Sequence, residues 1–149
     1  MNQNSNSVTK LLNGTLSSIK TVVPINYQME KPRILYEEFF LSFGVLVGIT
    51  GDIKGKLVFT GDPTIFEAIG EKMYGMSLEG EMLLSFSGEL GNMIAGGMST
   101  KIAESGMDID ITTPTILQGE TTLSGYKQAL AIAANFENIG FMNTNLLLD

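Results

Sequence analysis

Apolar residues at Val8, Leu11, Leu12, Leu16 and Ile19 recur at intervals of three and four. That spacing predicts an amphipathic helix with Ser7 as its N-cap, ending near Lys20. The pattern then turns alternating or continuous over Val22 to Met29, Ile34 to Val47 and Lys54 to Thr60, a strand region punctuated by Pro24, Pro32 and the Gly51-Asp52 pair. Gly51 to Gly55 reads as a hairpin turn. Asp62-Pro63 is a helix start, with Asp able to cap and Pro at the first helical position, and Gly75 stops that helix. Ser77 is a candidate cap for the longest element, from about Leu78 to Ser105, with Gly106 as its stop. Three strands follow, near Ile109 to Leu117, Lys127 to Glu137 and Gly140 to Leu148, with Gly119 and Asn138-Ile-Gly140 as the turns between them. Strand 127 to 137 is either buried or an edge open to a second copy.

The order helix then three strands occurs twice, which predicts a degenerate duplication. Pro24 and Pro114 are then counterparts, each opening a first strand. In the same register Lys10-Leu-Leu-Asn13 lies where Glu89-Leu-Gly-Asn92 lies in the second half. The fold class is α/β (α+β), with long helices packed on a β-sheet.

Within the long helix, Leu83, Leu84, Ser87, Leu90, Gly91, Ile94, Ala95, Met98 and Ile102 fall on one stripe at about 100° per residue. Ser85, Glu89, Asn92 and Gly96 fall on the opposite face, continued by Thr100 and Ala103. The glycines divide accordingly. Gly91 on the core side permits close packing, whereas Gly96 lies outward, and Gly88 and Gly97 lie on the flanks. Each interior glycine costs a helix roughly 1 kcal/mol relative to Ala, so an outward one points to something that approaches the backbone. Met82, Phe86 and Met93 flank the polar row and suit a protein-binding surface. Spacing alone leaves a second reading, in which the row is a solvated helix face and the flanking residues pack under a neighbouring element.

Composition narrows the chemistry. The chain has 149 residues, 44% of them apolar, enough for one domain over residues 8–149 behind a polar, disordered tail at 1–7. It has no Cys and no His. That excludes disulfides, thiolate or imidazole metal sites and His-based triads, leaving carboxylates, amides, hydroxyls and Lys. A net charge of −7 argues against nucleic acid and toward a protein partner. The first seven residues lack the basic start and apolar run of a signal peptide, and no apolar run approaches the ~20 residues needed to span a bilayer. The expected location is the cytoplasm. No phosphate-cradling loop or acid/base pair points to a small-molecule enzyme.

Ser85-x3-Glu89-x2-Asn92, followed after a gap of 21 residues by Pro114, resembles the signature of the CheC/CheX/FliY phosphatases. GELGNMIAGG, ITTPTILQG and GDIKGKLVFTGD, the last leading into a helix ending in MYG, resemble the CheX branch more closely, and the likeness runs from the first helix to the last strand. The gap to Pro114 is one residue shorter than is usual in the family, which leaves Glu89 and Asn92 in register. The resemblance implies a CheC-like fold of two pseudo-related halves, and a homodimer whose sheets join across the subunit interface. It also implies a chemotaxis protein phosphatase that hydrolyses the aspartyl phosphate of a CheY-like response regulator. By resemblance Asn92 positions the attacking water and Glu89 pairs with a regulator Lys. Ser85, Phe86, Met93 and Gly96 would contact the partner. No metal or cofactor would be bound by this chain, and Mg2+ would come with the regulator. Lys10, standing where the two-site members carry a second Glu, favours a single site. The competing reading is a non-catalytic adaptor for a receiver domain or the flagellar switch, built on the same fold.

Overall fold

The structure is a computed structural model and describes residues 3–35 and 38–149. Along the chain run α1 (Gln3–Val22), β1 (Tyr27–Met29), β2 (Arg33–Ile34), β3 (Phe39–Gly51), β4 (Gly55–Thr60), α2 (Pro63–Tyr74), α3 (Glu81–Glu104), β5 (Ile109–Ile111), β6 (Thr115–Leu123), β7 (Gln128–Phe136) and β8 (Gly140–Leu148).

Three helix starts illustrate how local and tertiary forces divide the work. At α2 the expectation holds in atomic detail. Asp62 Oδ1 accepts from Thr64 N at 3.0 Å, Pro63 opens the helix, and Gly75 closes it at φ 72° with its N–H donating to Glu71 O at 2.7 Å. The hydrogen bonds from Thr64 hold the Asp62 carboxyl below its ordinary pKa.

At α1 the helix begins at Gln3, so Ser7 lies inside it rather than at its cap, and residues 3–7 are helical rather than tail. Docking of Val8, Leu11 and Ile19 into the core carries the helix past the point that local propensity marks. Residues 1 and 2 lie outside the described residues. At α3 the N-cap is Gly80, with no side-chain cap bond, and Ser77 is not the cap. Gly80 adopts φ 56° and ψ −130°, a backbone state open to glycine, and this breaks any continuity with Leu78.

All strand pairings are antiparallel. The order is β1-β7-β8-β4-β3-β5, with β2 also on β7 and β6 also on β3. This order is symmetric about the β8–β4 pair. The hairpin β3–β4 of the first half answers the hairpin β7–β8 of the second, and each half lends its two leading strands to the other half's hairpin. The duplication is therefore visible in the topology. The expected strand Ile109 to Leu117 is broken into β5 and β6, the expected strand Val22 to Met29 shortens to β1, and Ile34, expected to open the next strand, lies in β2. Pro114 lies between β5 and β6, so its topological counterpart is Pro32, between β1 and β2, rather than Pro24.

Two further expectations change. Strand β7 is flanked on both sides and is not an edge. Gly119 is not a turn between strands but lies within β6 at φ 86°, where the pairing to β3 shifts register between Leu41 and Phe43.

The three helices contribute to a main core with one face of the sheet, where Val45, Val47, Leu57 and Phe59 meet Leu11, Ile19, Phe66, Leu90, Ile94 and Met98. A smaller cluster around Val58, Ala129 and Leu147 lies on the other side. No helix among the described residues is long and apolar enough to cross a membrane.

Candidate functional site

The candidate site is a ridge on α3, and its geometry follows from what lies beneath. The expected core stripe is buried from Ser87 through Leu90, Gly91, Ile94, Ala95 and Met98 to Ile102. Gly91 faces the sheet so closely that a Cβ there would come within 2.7 Å of Val45 Cγ1. On the neighbouring flank Ser18 of α1 donates its hydroxyl to Ile94 O at 2.7 Å. With these contacts inward, Ser85, Glu89 and Asn92 are exposed on the outward face, and a Cβ at Gly96 would meet nothing within 4 Å.

The second wall comes from the β5–β6 connection. Thr112 Oγ1 accepts from Gly48 N at 2.8 Å, and Thr112 N donates to Gly48 O at 3.0 Å, which anchors the connection to β3. Only a residue without a Cβ admits this, since one at Gly48 would lie 2.9 Å from Thr112 Cγ2. Pro114, just beyond, packs near Gly88 of α3. A groove of about 600 Å³ results, lined by Ser85, Gly88, Glu89, Asn92, Thr113 and Pro114 among others. The spacing from Glu and Asn to Pro thus encodes two walls of one groove.

Glu89 and Asn92 are held in place by the helix alone. The ion pairs among the described residues are Lys56–Asp149 and Lys101–Glu104, and Glu89 joins neither. The Asn92 amide likewise has no partner among the described residues. A carboxylate and an amide about one turn apart, solvated and unengaged, are available to a macromolecule that arrives with complementary groups. No group of three or more His, Cys, Asp or Glu that could hold a metal ion occurs among the described residues.

Of the flanking residues expected at the surface, Met82 and Met93 are exposed but Phe86 is not. Phe86 is only 5% exposed, because its ring stacks edge-on with Tyr74 at 5.6 Å and closes over Gly70, joining α3 to α2. Its partner is tertiary, so helical periodicity around α3 could not assign it. The same contact opens a second depression that the sequence reading missed, lined by Tyr74, Met76, Leu78 and Met82 with Glu81, Ser85 and Glu89. The apolar run Met73-Tyr74 continuing across Gly75 to Met76 was the available signal. Met73 is partly buried, whereas Tyr74 and Met76 are exposed. Ser85 and Glu89 form the crest between the two depressions.

On α1, Asn13 is exposed and Lys10 half-buried. The Glu and Asn pairing therefore occurs on one helix of the pseudo-symmetric pair.

The family model for chemotaxis phosphatase CheX matches residues 43–137, which includes the ridge and both groove walls. The chain belongs to the CheX family. Among its relatives, CheY-P phosphatase CheX of Thermotoga maritima is 34% identical over 116 residues, covering 75% of each chain. The crystal structure of chemotaxis protein CheX from Vibrio vulnificus superposes with a TM-score of 0.79 at 25% identity, covering 95% of this chain and 98% of that one. CheX in the CheX–CheY–BeF3–Mg2+ complex from Borrelia burgdorferi shares the fold with a TM-score of 0.77 at 21% identity, over 95% and 96% of the two chains. The matched residues include Glu89, Asn92 and Pro114.

Proposed function

We propose that this protein accelerates hydrolysis of the aspartyl phosphate on a CheY-like response regulator. The observation that carries the reading is the unengaged Glu89–Asn92 pair on an exposed ridge beside Pro114, in a chain of the CheX family. The name of the Thermotoga relative and the composition of the Borrelia complex support the same substrate class.

In the reaction, Asn92 enters the regulator's active site and orients a water opposite the leaving carboxylate. A carboxamide suits this because it donates and accepts hydrogen bonds without adding charge beside a phosphoryl group. The water oxygen bonds to phosphorus, the bond from phosphorus to the aspartyl oxygen breaks, and the regulator's Asp leaves as carboxylate. The water's proton departs with inorganic phosphate or to solvent. Glu89 forms a charge-assisted bond to a regulator Lys that fixes the helix in register. Ser85 and Met93 contact the partner's surface, and Gly96 gives its backbone clearance. Phe86 acts from below, by holding α2 against α3. The phosphoryl charge is offset by Mg2+ held in the regulator, and this chain supplies no metal. Such a partner places the protein in the cytoplasm.

We also propose a homodimer joined through β6, whose outer side carries no strand among the described residues. Sedimentation equilibrium then returns twice the chain mass of 16.1 kDa, and a single-chain mass at micromolar concentration rejects it.

The function is tested by following decay of the phosphorylated regulator with and without catalytic amounts of this protein. Faster decay with turnover supports the enzyme, whereas binding with unchanged decay supports an adaptor.

A further inference from the structure

Beside the catalytic ridge lies an apolar depression that the proposed chemistry does not use. Among the described residues, the exposed large hydrophobics are Ile34, Phe40, Tyr74, Met76, Met82, Met93 and Phe141. Three of them, Tyr74, Met76 and Met82, are 55%, 51% and 53% exposed and line one hollow of about 600 Å³ between α2 and α3. Scattered single hydrophobics are ordinary on a protein surface, but a concave cluster of this kind marks a binding site.

Three features say what fits there. The lining sets two exposed Met thioethers and the Tyr74 ring beside buried Leu78 and Phe86, a soft and polarizable surface that suits an apolar side chain. The rim is acidic, with Glu81 and Glu89 both lining the hollow, so an occupant bearing a cation beside its apolar group is favoured and an acidic one is repelled. The hollow also shares Ser85 and Glu89 with the catalytic groove, so one partner seated on the crest reaches both depressions.

We propose that this hollow selects the response regulator by receiving an apolar side chain flanked by a basic residue on the receiver domain, while Asn92 occupies that receiver's phosphoryl site. The inference rests on the function proposed above and assigns Met76 and Met82 as specificity residues with no part in the chemistry. The hollow is preformed. Gly70 lets Leu78 and Phe86 close against α2, since a Cβ there would lie 2.5 Å from Leu78 Cδ1, and the Tyr74–Phe86 stack fixes the wall. A preformed hollow around an anchor concentrates binding energy in few contacts.

The test measures the affinity of the cognate receiver, activated with beryllofluoride and Mg2+, for the wild-type protein and for Met76→Asp, Met82→Asp and Met82→Leu. Both residues are exposed, so circular dichroism and melting temperature stay at wild-type values. Each Asp variant is expected to raise Kd by roughly tenfold or more, with Met82→Leu restoring affinity and kcat at saturating regulator unchanged. Values of Kd within about twofold of wild type for both Asp variants overturn the proposal. So does a change in oligomeric mass with receiver affinity intact, which reassigns the hollow to a contact between copies. Wild-type binding without accelerated dephosphorylation defeats the catalytic reading while the Asp variants still decide the hollow, and absence of wild-type binding defeats both.

Discussion

The Ser18 hydroxyl donates to Ile94 O at 2.7 Å across the crossing of α1 and α3, and it fits because Gly97 faces it without a side chain. In the register that sets Lys10 against Glu89, Ser18 and Gly97 are counterparts. Their mutual contact therefore lies on the local two-fold that relates the halves, where any pair of larger side chains would collide. A Cβ at Gly97 would overlap Ser18 Oγ. Gly97→Ala is therefore expected to lower stability by about 1–3 kcal/mol, through displacement of α1 and loss of the buried bond. Gly91→Ala should do the same against Val45. Urea denaturation of the two variants checks both.

Gly96 is expected to behave in the opposite way. Its Cβ position is open, so Gly96→Ala gains roughly 1 kcal/mol of helix stability. If the partner's backbone uses that clearance, the same variant binds the regulator more weakly. Chemical denaturation and titration with regulator, run on one preparation, separate a structural glycine from a docking one.

Much of this division is legible in the amino-acid sequence, and the exceptions share a cause. The stripe on α3, the inward Gly91 and the outward Gly96 follow from helical periodicity alone, and α2 follows from Asp62-Pro63 and Gly75. What escaped depends on contacts distant in sequence. Phe86 is buried by Tyr74 of another helix, β1 and β2 pair with β7 of the other half, and Pro114 stands beside Gly88 only because Thr112 grips Gly48. Ser77 looked like a cap because its chemistry is right, but Gly80 holds the positive φ that starts α3. Nor could spacing around one helix reveal the hollow, since Tyr74 at the end of α2 and Met76 and Leu78 in the connection complete its lining.

The Asp62 cap carries a pH signature. Its carboxyl is held below the ordinary value of 3.8 by the hydrogen bonds from Thr64. A group whose pKa is lower folded than unfolded contributes stability that is full above the unfolded value and is lost as pH falls through the folded one. Asn at this position keeps a capping acceptor but has no charge to lose. The difference in melting temperature between wild type and Asp62→Asn is therefore expected to shrink on acidification below 3.8. A constant difference across that range rules out the charged cap.

Glu89→Ala should affect docking before chemistry. With its proposed Lys partner left unpaired, affinity for the regulator is expected to fall by roughly tenfold or more, and turnover at sub-saturating regulator falls with it. Unchanged affinity with reduced kcat would instead give Glu89 a chemical role.

Asn92 is proposed to act on a phosphoryl group held by the partner. The most direct measurement is the decay rate of the phosphorylated CheY-like regulator under saturating wild-type protein and saturating Asn92→Ala, with affinity measured alongside. Asn92→Ala is expected to bind with near wild-type affinity while losing roughly 100-fold or more of the acceleration, since the water loses its orienting group. Near wild-type decay with the variant would contradict it.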